Sequence, residues 1–234
     1  MRGDPVIGRR ADISVALDDV GDLRPALPTV RKTVGGGPAT YMALCPAALT
    51  DLGGINPANL YTIRPKRASG DRYVVREHDV VFLMRLPFRL VYFDGDVLQR
   101  CQDMPTQMEA PPPLVAVGQM AVLTVDPRVA EPGYVAWYLR HPETVQRLRL
   151  VSKGGNVQFI PMKDIRGLTV PLPNRPLQQV IAAGWLAQQR AARLAEERDR
   201  LLAQYIDAAG MKAIDEAAPD QEPLRRISKW YGHD

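Results

Sequence analysis

The sequence has few of the residues that build metal sites. Among its 234 residues there are two cysteines, Cys45 and Cys101, and three histidines. The cysteines lie far apart and form no Cys-x-x-Cys pair, so the sequence predicts neither a zinc ribbon nor a disulfide framework. No two histidines have the short spacing of metal ligands, and we therefore predict no metal site.

Long apolar runs are also lacking. No stretch approaches the roughly 20 consecutive apolar residues that a membrane-spanning helix requires. The first ten residues contain no apolar core of the secretory type. The sequence therefore predicts a soluble, cytoplasmic protein with no membrane partner.

Motifs for common catalytic chemistry are missing as well. No Gly-x-Ser-x-Gly sequence is present, and the glycines at 35–37 are not followed by Gly-Lys-Ser/Thr, so neither a nucleophile elbow nor a phosphate-binding loop is indicated. Gly154 and Gly155 lack the strand–turn–helix setting of a dinucleotide site. We predict no catalytic residue and no cofactor in this chain.

Proline, by contrast, is abundant in the sequence. There are 21 prolines, roughly 9% of the residues against a usual share of about 5%. This favours short strands and turns up to residue 173. The predicted strands cover 72–86, 88–93 and 115–125, a turn is predicted at 94–96, and 157–170 is predicted as strand–turn–strand. One helix, 132–151, is predicted to divide at Pro142 because an internal proline removes a helical hydrogen bond.

The composition changes after residue 173. Residues 177–209 contain no proline and are dominated by good helix formers. The sequence predicts an α+β protein: a strand-rich domain over 1–173, one long helix over 174–210 and a tail over 211–234. At 1.5 Å per residue the helix would be about 50 Å long, too long to be buried along its whole length by a domain of this size.

Apolar or small residues recur along this helix at alternating steps of four and three, which is the spacing of a coiled-coil seam. A flanking line of apolar residues widens the seam. Arg198 is the discordant seam residue, which either reaches out to solvent or fixes the register. We predict that the helix pairs with a second helix; the alternative is that it folds back on its own domain. The predicted helix-pairing residues are Leu177, Val180, Ile181, Gly184, Ala187, Ala191, Leu194, Arg198, Leu201, Leu202 and Tyr205.

Basic residues form the most suggestive functional pattern. The net charge of +4 permits a nucleic-acid partner without requiring one. Arginine and lysine neutralise phosphates, and arginine and asparagine can also bond base edges. Any single residue of this kind can equally be ordinary solvated surface. The candidate DNA contacts are Arg64, Lys66, Arg67, Arg85, Arg89, Arg147, Arg149, Lys153 and Asn156.

Several short motifs, in this order and spacing, resemble one half of a DNA specificity subunit of type I restriction–modification systems. The likeness extends to about residue 209. The motifs that carry it are Leu17-Asp18-Asp19-Val20, His78-Asp79-Val80-Val81 (similar to a Gly-Asp-Ile-Leu strand), the helix at 134–139 with its following loop 152–156, the segment 160–173, and Gln178 with Ile181 (similar to a Glu-Gln-x-x-Ile helix start).

The resemblance implies a non-catalytic, target-recognition domain followed by a spacer helix that pairs as an antiparallel coiled coil. The helix would measure roughly 15 base pairs at about 3.4 Å each. With one copy of each element, a homodimer or a paired half-subunit would read a bipartite site on double-stranded DNA. The implied partners are a methyltransferase (modification) subunit, which would hold S-adenosylmethionine, and a restriction–translocase subunit.

Two other hypotheses remain open from the sequence. The same recognition domain could serve a stand-alone DNA-binding regulator or an anti-restriction protein, which would act without a methyltransferase. The chain could also be an enzyme whose site no motif reveals. Association with a methyltransferase distinguishes the first reading from these two.

Overall fold

The computed structural model describes residues 13–28, 40–64, 70–103 and 111–217. Contacts divide the chain into two compact units, Met1–Gln189 and Arg190–Asp234. The strands of the described residues are β1 (Ile13–Ala16), β2 (Gly21–Pro25), β3 (Tyr41–Leu44), β4 (Tyr61–Ile63), β5 (Asp79–Leu83), β6 (Leu90–Tyr92), β7 (Leu114–Ala116), β8 (Met120–Val125) and β9 (Thr169–Leu172). The α-helices are α1 (Leu17–Val20), α2 (Gly95–Gln102), α3 (Pro132–Arg140), α4 (Pro142–Val151), α5 (Met162–Arg166) and α6 (Arg175–Ala217).

An antiparallel sheet of four strands, in the order β2-β8-β5-β6, forms the centre of the first unit. Successive side chains of a strand point to opposite faces. Val80 and Phe82 of β5 therefore enter one apolar cluster, while Val81 and Leu83 enter another. Helix α3 packs against the first cluster, and the second continues towards β3 and β7. The mixed α+β architecture predicted from the sequence is confirmed.

Two smaller sheets complete the unit. Strands β4, β3 and β7 form a sheet in which β3 and β7 run parallel. Strand β1 pairs antiparallel with β9, directly before α6 begins. This β1–β9 pair brings the first described strand of the chain next to the start of the long helix.

A buried ionic network joins β2, β5 and β8. Arg24, only 6% exposed, donates from Nη2 to Asp79 Oδ2 (3.3 Å) and from Nη1 to Thr124 Oγ1 (2.6 Å). Asp79 also accepts from Thr124 Oγ1 (2.6 Å) and from the backbone N of Arg76 (2.9 Å). Burial raises the pKa of Asp79 above its ordinary value, and these donors oppose that rise. The sheet therefore encloses a charge pair whose members depend on each other.

Two local predictions from the sequence are wrong. The expected turn at 94–96 is the start of α2, because the Asp94 carboxylate accepts a hydrogen bond from Val97 N (2.8 Å) and caps the helix. The expected strand–turn–strand at 157–170 contains α5 between an isolated bridge at Phe159 and β9. The predicted break at Pro142 is confirmed, since α3 ends at Arg140 and α4 begins at Pro142.

The first turns of α6 belong to the first unit. Gln178 and Ala182 are buried, and Trp185 and Leu186 pack against the core that holds α3. Ile181, predicted as a helix-pairing residue, also packs there. This corrects its assignment: at 100° per residue Ile181 lies nearer to Gln178 and Trp185 than to the predicted seam.

Gln178 secures this attachment through its amide group. Its Oε1 accepts from the backbone N of Glu131 (2.9 Å), and its Nε2 donates to the Pro173 carbonyl (2.7 Å). Arg175 adds an ion pair with Glu131 (2.9 Å). The start of α6 is thereby tied to the start of α3.

The second unit, over its described residues 190–217, is the remainder of α6. The helix continues to Ala217, beyond the predicted end at 210. Its large apolar side chains are exposed, from Leu201 at 50% to Tyr205 at 71%. In a single chain, this part of the helix therefore presents an uncovered apolar stripe to solvent.

We expect Arg24→Met to lower the free energy of unfolding by about 3 kcal/mol, because it leaves the Asp79 carboxylate buried without its cation. The measurement is urea unfolding of the full chain, followed by circular dichroism. Arg128→Met is the matched control, since Arg128 pairs with Asp126 on the surface and its side chain is 89% exposed. Equal unfolding midpoints for the two variants would contradict a structural role for the buried pair.

Candidate nucleic-acid interface

A short antiparallel ladder of three segments lies beyond the end of β5. Lys153 and Phe159 exchange both backbone hydrogen bonds, each at 2.8 Å. On its other side, Phe159 pairs with Arg85 through bonds made by their neighbours: Leu86 N to Gln158 O (2.9 Å), and a second from Ile160 N (2.8 Å). Phe159 is thus the central residue of the ladder.

The pairing places three side chains on one face. Residues directly opposite each other in an antiparallel pair point to the same side. Lys153, Phe159 and Arg85 therefore form a row in which an aromatic ring is flanked by two cations. Phe159 is 46% exposed, Lys153 is exposed and Arg85 is partly exposed. The row faces solvent rather than a core.

The turn between Lys153 and Phe159 depends on Gly154. Its φ of +116° lies in a region that favours glycine, and a Cβ at this position would lie 2.3 Å from the carbonyl oxygen of Val157. Gly155 has no such constraint, since a Cβ there would meet nothing within 4 Å. Gly154 is therefore required for the hairpin turn, whereas a side chain at position 155 would fit without a clash.

The segments that build the ladder carry positive charge only. Residues 144–163 contain four cations and no carboxylate, and residues 80–93 contain two arginines and no carboxylate. The side chains of Arg85, Arg149, Lys153 and Asn156 make no hydrogen bond or ion pair with another described residue. These groups are available to a partner that supplies anionic acceptors.

Among the other predicted DNA contacts that the structure describes, Arg147 and Arg64 are not members of the ladder. Arg147, on α4, donates to Tyr138 Oη (3.3 Å) and is exposed close to the ladder in sequence. Arg64 follows β4 in a different sheet and donates to Thr40 Oγ1 (3.1 Å). Lys66 and Arg67 lie outside the described residues.

Arg89 has an intramolecular partner that sequence reasoning missed. Its Nε donates to Asp51 Oδ1 (2.6 Å), and Arg140 Nη2 donates to the Asp51 carbonyl (2.8 Å). Arg140 Nη1 also donates to Gln189 Oε1 (3.0 Å). Gly53, at φ +78°, leaves room for the Arg140 guanidinium, since a Cβ there would lie 2.1 Å from Nη1. Arg89 therefore helps to hold a loop junction and is a weaker candidate for phosphate than Arg85.

Phe159 is the main residue of the ladder that sequence reasoning missed. A lone aromatic residue in a predicted strand normally indicates a core position. The available signal was the segment 147–159, which contains basic residues and no acidic residue. Pairing with Arg85, 74 positions earlier, is a tertiary feature that this signal does not contain.

Ten of the eleven predicted helix-pairing residues lie on an exposed face of α6, with Ile181 as the exception. Leu177 and Val180 begin this face, and Leu194, Leu201 and Tyr205 continue it. Arg198 donates to the neighbouring Asp199 carboxylate (2.7 Å) and points to solvent. The face lies opposite the one that packs on the first unit, as 3.6 residues per turn requires.

Metal-ligating side chains do not cluster within the described ranges. No group of three or more His, Cys, Asp and Glu side chains is arranged to hold a metal ion there. Among the helices described, none combines the length and hydropathy needed to cross a membrane. Burial raises the pKa of Cys101 to about 11, so its thiol stays protonated at neutral pH.

The architecture is that of a strand-rich domain followed by one long helix, and solved structures share it. No family model and no curated protein matches the sequence. The HsdS subunit from Thermoanaerobacter tengcongensis matches over 87% of this chain and 48% of its own, with a TM-score of 0.53 and 16% identity. A chain from a study of complex assembly and conformational transition of the type I R-M system matches over 88% and 49%, with a TM-score of 0.54 and 17% identity.

These matches define the fold of the chain as that of about half of a type I restriction–modification specificity subunit. The chain spans about half the length of the solved chains it matches. The His78-Asp79-Val80-Val81 motif at the start of β5 is consistent with this fold. His78 stands where the resembling motif has glycine, and its φ is +71°, in the region that favours glycine. Its Nδ1 lies 2.8 Å from Tyr92 Oη, so the side chain is held in place.

We expect Gly154→Ala to disrupt the hairpin at a local cost of about 1–3 kcal/mol, because the added Cβ collides with the Val157 carbonyl. Amide hydrogen exchange should become faster at Lys153 and Phe159 and stay unchanged in β8. Gly155→Ala is the matched control and should leave exchange at both amides as in the wild type. Unchanged protection in Gly154→Ala would contradict the described turn.

Proposed function

We propose that this chain is a non-catalytic DNA sequence-specificity subunit of a type I restriction–modification or related defence complex. It reads one half of a bipartite DNA site and docks a methyltransferase subunit. The observation that carries the proposal is the solvent-facing, carboxylate-free ladder of Arg85, Phe159 and Lys153 on a domain of this fold.

The ladder suits double-stranded DNA for electrostatic reasons. Phosphate contacts come mainly from arginine, lysine and polar side chains, and they supply most of the affinity of such complexes. Arg149, on α4, and Asn156, in the hairpin, are exposed and add a cation and an amide of the kinds that bind DNA. Carboxylates, which would repel the phosphate backbone, are absent from both segments that build the ladder.

Helix α6 supplies the assembly surface. Leu194 and Leu201 are one seven-residue heptad apart, Tyr205 follows four residues later, and all three are exposed, as in the seam of a coiled coil. Covering this seam with the same helix of a second copy, in antiparallel orientation, gives a twofold-symmetric dimer. A symmetric dimer carries two copies of the ladder and so reads two half-sites.

The apolar stripe is wide enough for more than one partner helix. From Leu201 round to Ile206 it spans about 140° of the helix circumference at 100° per residue. A strict two-stranded seam is narrower than a core-facing stripe of this width. The part left uncovered by a second copy is the docking surface for the methyltransferase subunit, which would bind S-adenosylmethionine. A restriction–translocase subunit would join the complex through that subunit.

Co-expression with a candidate modification subunit tests the proposal. Affinity purification of the tagged full chain should retain the methyltransferase, and the complex should methylate DNA at a bipartite sequence. A dimer that binds DNA selectively but never retains a methyltransferase would instead support the stand-alone regulator. Methyl transfer or cleavage by the purified chain alone would contradict a non-catalytic role.

Lys153→Ala and Arg149→Ala should each reduce the slope of log affinity for duplex DNA against log salt concentration by about 1, because each removes one phosphate contact. Fluorescence anisotropy at several salt concentrations measures this. Arg128→Ala is the matched control, since it also removes one cation but one that pairs with Asp126. A wild-type slope in both ladder variants would remove these residues from the interface.

Leu201→Lys should convert the dimer to monomer at micromolar concentration, because it places a charge within the apolar stripe that the second copy covers. Sedimentation velocity of the full chain gives the oligomeric state. Glu196→Lys is the control, since Glu196 lies on the other side of the helix and is exposed. A dimer that persists in Leu201→Lys would exclude this stripe as the pairing surface.

A further inference from the structure

The Phe159 ring is an exposed apolar group in the ladder, and electrostatic attraction to phosphate does not explain its position. It is the middle of three adjacent segments, with Lys153 on one side and Arg85 on the other. Val157, near the hairpin tip, is also exposed, at 57%. The ladder beyond β5 therefore carries an apolar side chain at its centre and a cation on each side of it, all three on one face.

We propose that the hairpin 153–159 enters the major groove of DNA and that Phe159 contacts the 5-methyl group of a thymine. This inference rests on the proposed function and names the element and one base type that it reads. Arg85 and Lys153 then contact phosphates on the two sides of the groove.

The dimensions of the ladder fit this placement. Neighbouring strands lie about 4.8 Å apart, so the backbones that carry Arg85 and Lys153 are separated by about 10 Å. The major groove is about 12 Å wide and admits a two-stranded ribbon such as the hairpin 153–159, so the neighbouring segment with Arg85 lies at the edge of the groove. The side chains of Arg85 and Lys153 are long enough to extend outward and reach the phosphates that border the groove. Phe159 then lies between them.

The chemistry of Phe159 selects the base. A phenyl ring has no donor or acceptor and therefore cannot read the hydrogen-bonding edges of the bases. The thymine methyl group is the apolar feature that the major groove presents. Burying one methyl contributes about 0.8 kcal/mol, which corresponds to about a fourfold change in affinity.

The cationic edges favour DNA over a protein partner for this surface. The centres of protein–protein interfaces are depleted in charged residues, and lysine in particular. Here Lys153 and Arg85 flank the apolar residue directly, and their side chains have no described intramolecular partner. A DNA duplex supplies phosphates to both cations, and the Phe159 ring then contacts the edges of the bases.

The experiment begins with the full 234-residue chain and a library of randomised DNA duplexes, from which the preferred sequence is selected. Each thymine of that sequence is then replaced by uracil, which lacks only the methyl group, and affinity is measured by fluorescence anisotropy. We expect one position in each half-site to lose about fourfold in affinity. With Phe159→Ala the same replacement should have no effect, and with Phe159→Leu part of the effect should remain.

Ile13→Ala removes an exposed apolar side chain from β1 and serves as the matched control; it should keep the full uracil effect. If wild-type affinity is unaffected by every uracil replacement, or if Phe159→Ala responds to uracil as the wild type does, the thymine contact is wrong while the proposed function stands. If the wild-type chain selects no sequence, both the proposed function and this inference are wrong.

Discussion

The antiparallel pairing of residues 84–86 with residues 158–160 is the interaction on which the candidate interface depends. Two backbone hydrogen bonds, Leu86 N to Gln158 O and Ile160 N to Met84 O, join the end of β5 to the segment before α5. Ile160 is fully buried beside the core of the main sheet, so the segment is fixed at one end. Its neighbour Phe159 must then point the other way, to solvent. One strand register therefore both buries Ile160 in the core and exposes the row that contains Phe159.

Helix α6 shows a similar division between its two faces. Gln178 and Ala182 face the first unit, where the amide of Gln178 bonds the start of α3 and the Pro173 carbonyl. The opposite face carries exposed residues from Val180 to Tyr205. A regular helix of this length keeps both faces continuous because each residue turns by 100°. The same element is therefore anchored to its own domain and still exposes apolar side chains.

Local signals in the sequence were sufficient for several elements. The division between α3 and α4 follows from Pro142, and the long helix follows from 33 proline-free residues rich in helix formers. Local signals failed at residues 94–96, where an Asp-Gly-Asp sequence typical of a turn caps a helix instead. They also failed at Ile181, because apolar spacing identifies apolar positions without saying which face the domain itself covers.

By itself, the sequence determined the class of fold, the position of the long helix and the set of basic residues that are candidates for an interface, since composition, periodicity and proline position act over a few neighbouring residues. Only the tertiary structure decided which of those basic residues lie together. Arg85 and Lys153 meet at Phe159, while Arg89 is taken up by Asp51. The pairings of Arg85 with Phe159 and of Arg89 with Asp51 join segments tens of residues apart, whereas Lys153 and Phe159 are joined by a short hairpin. Burying Ile160 and the central strands fixes the register between Arg85 and Phe159 among many that local sequence allows.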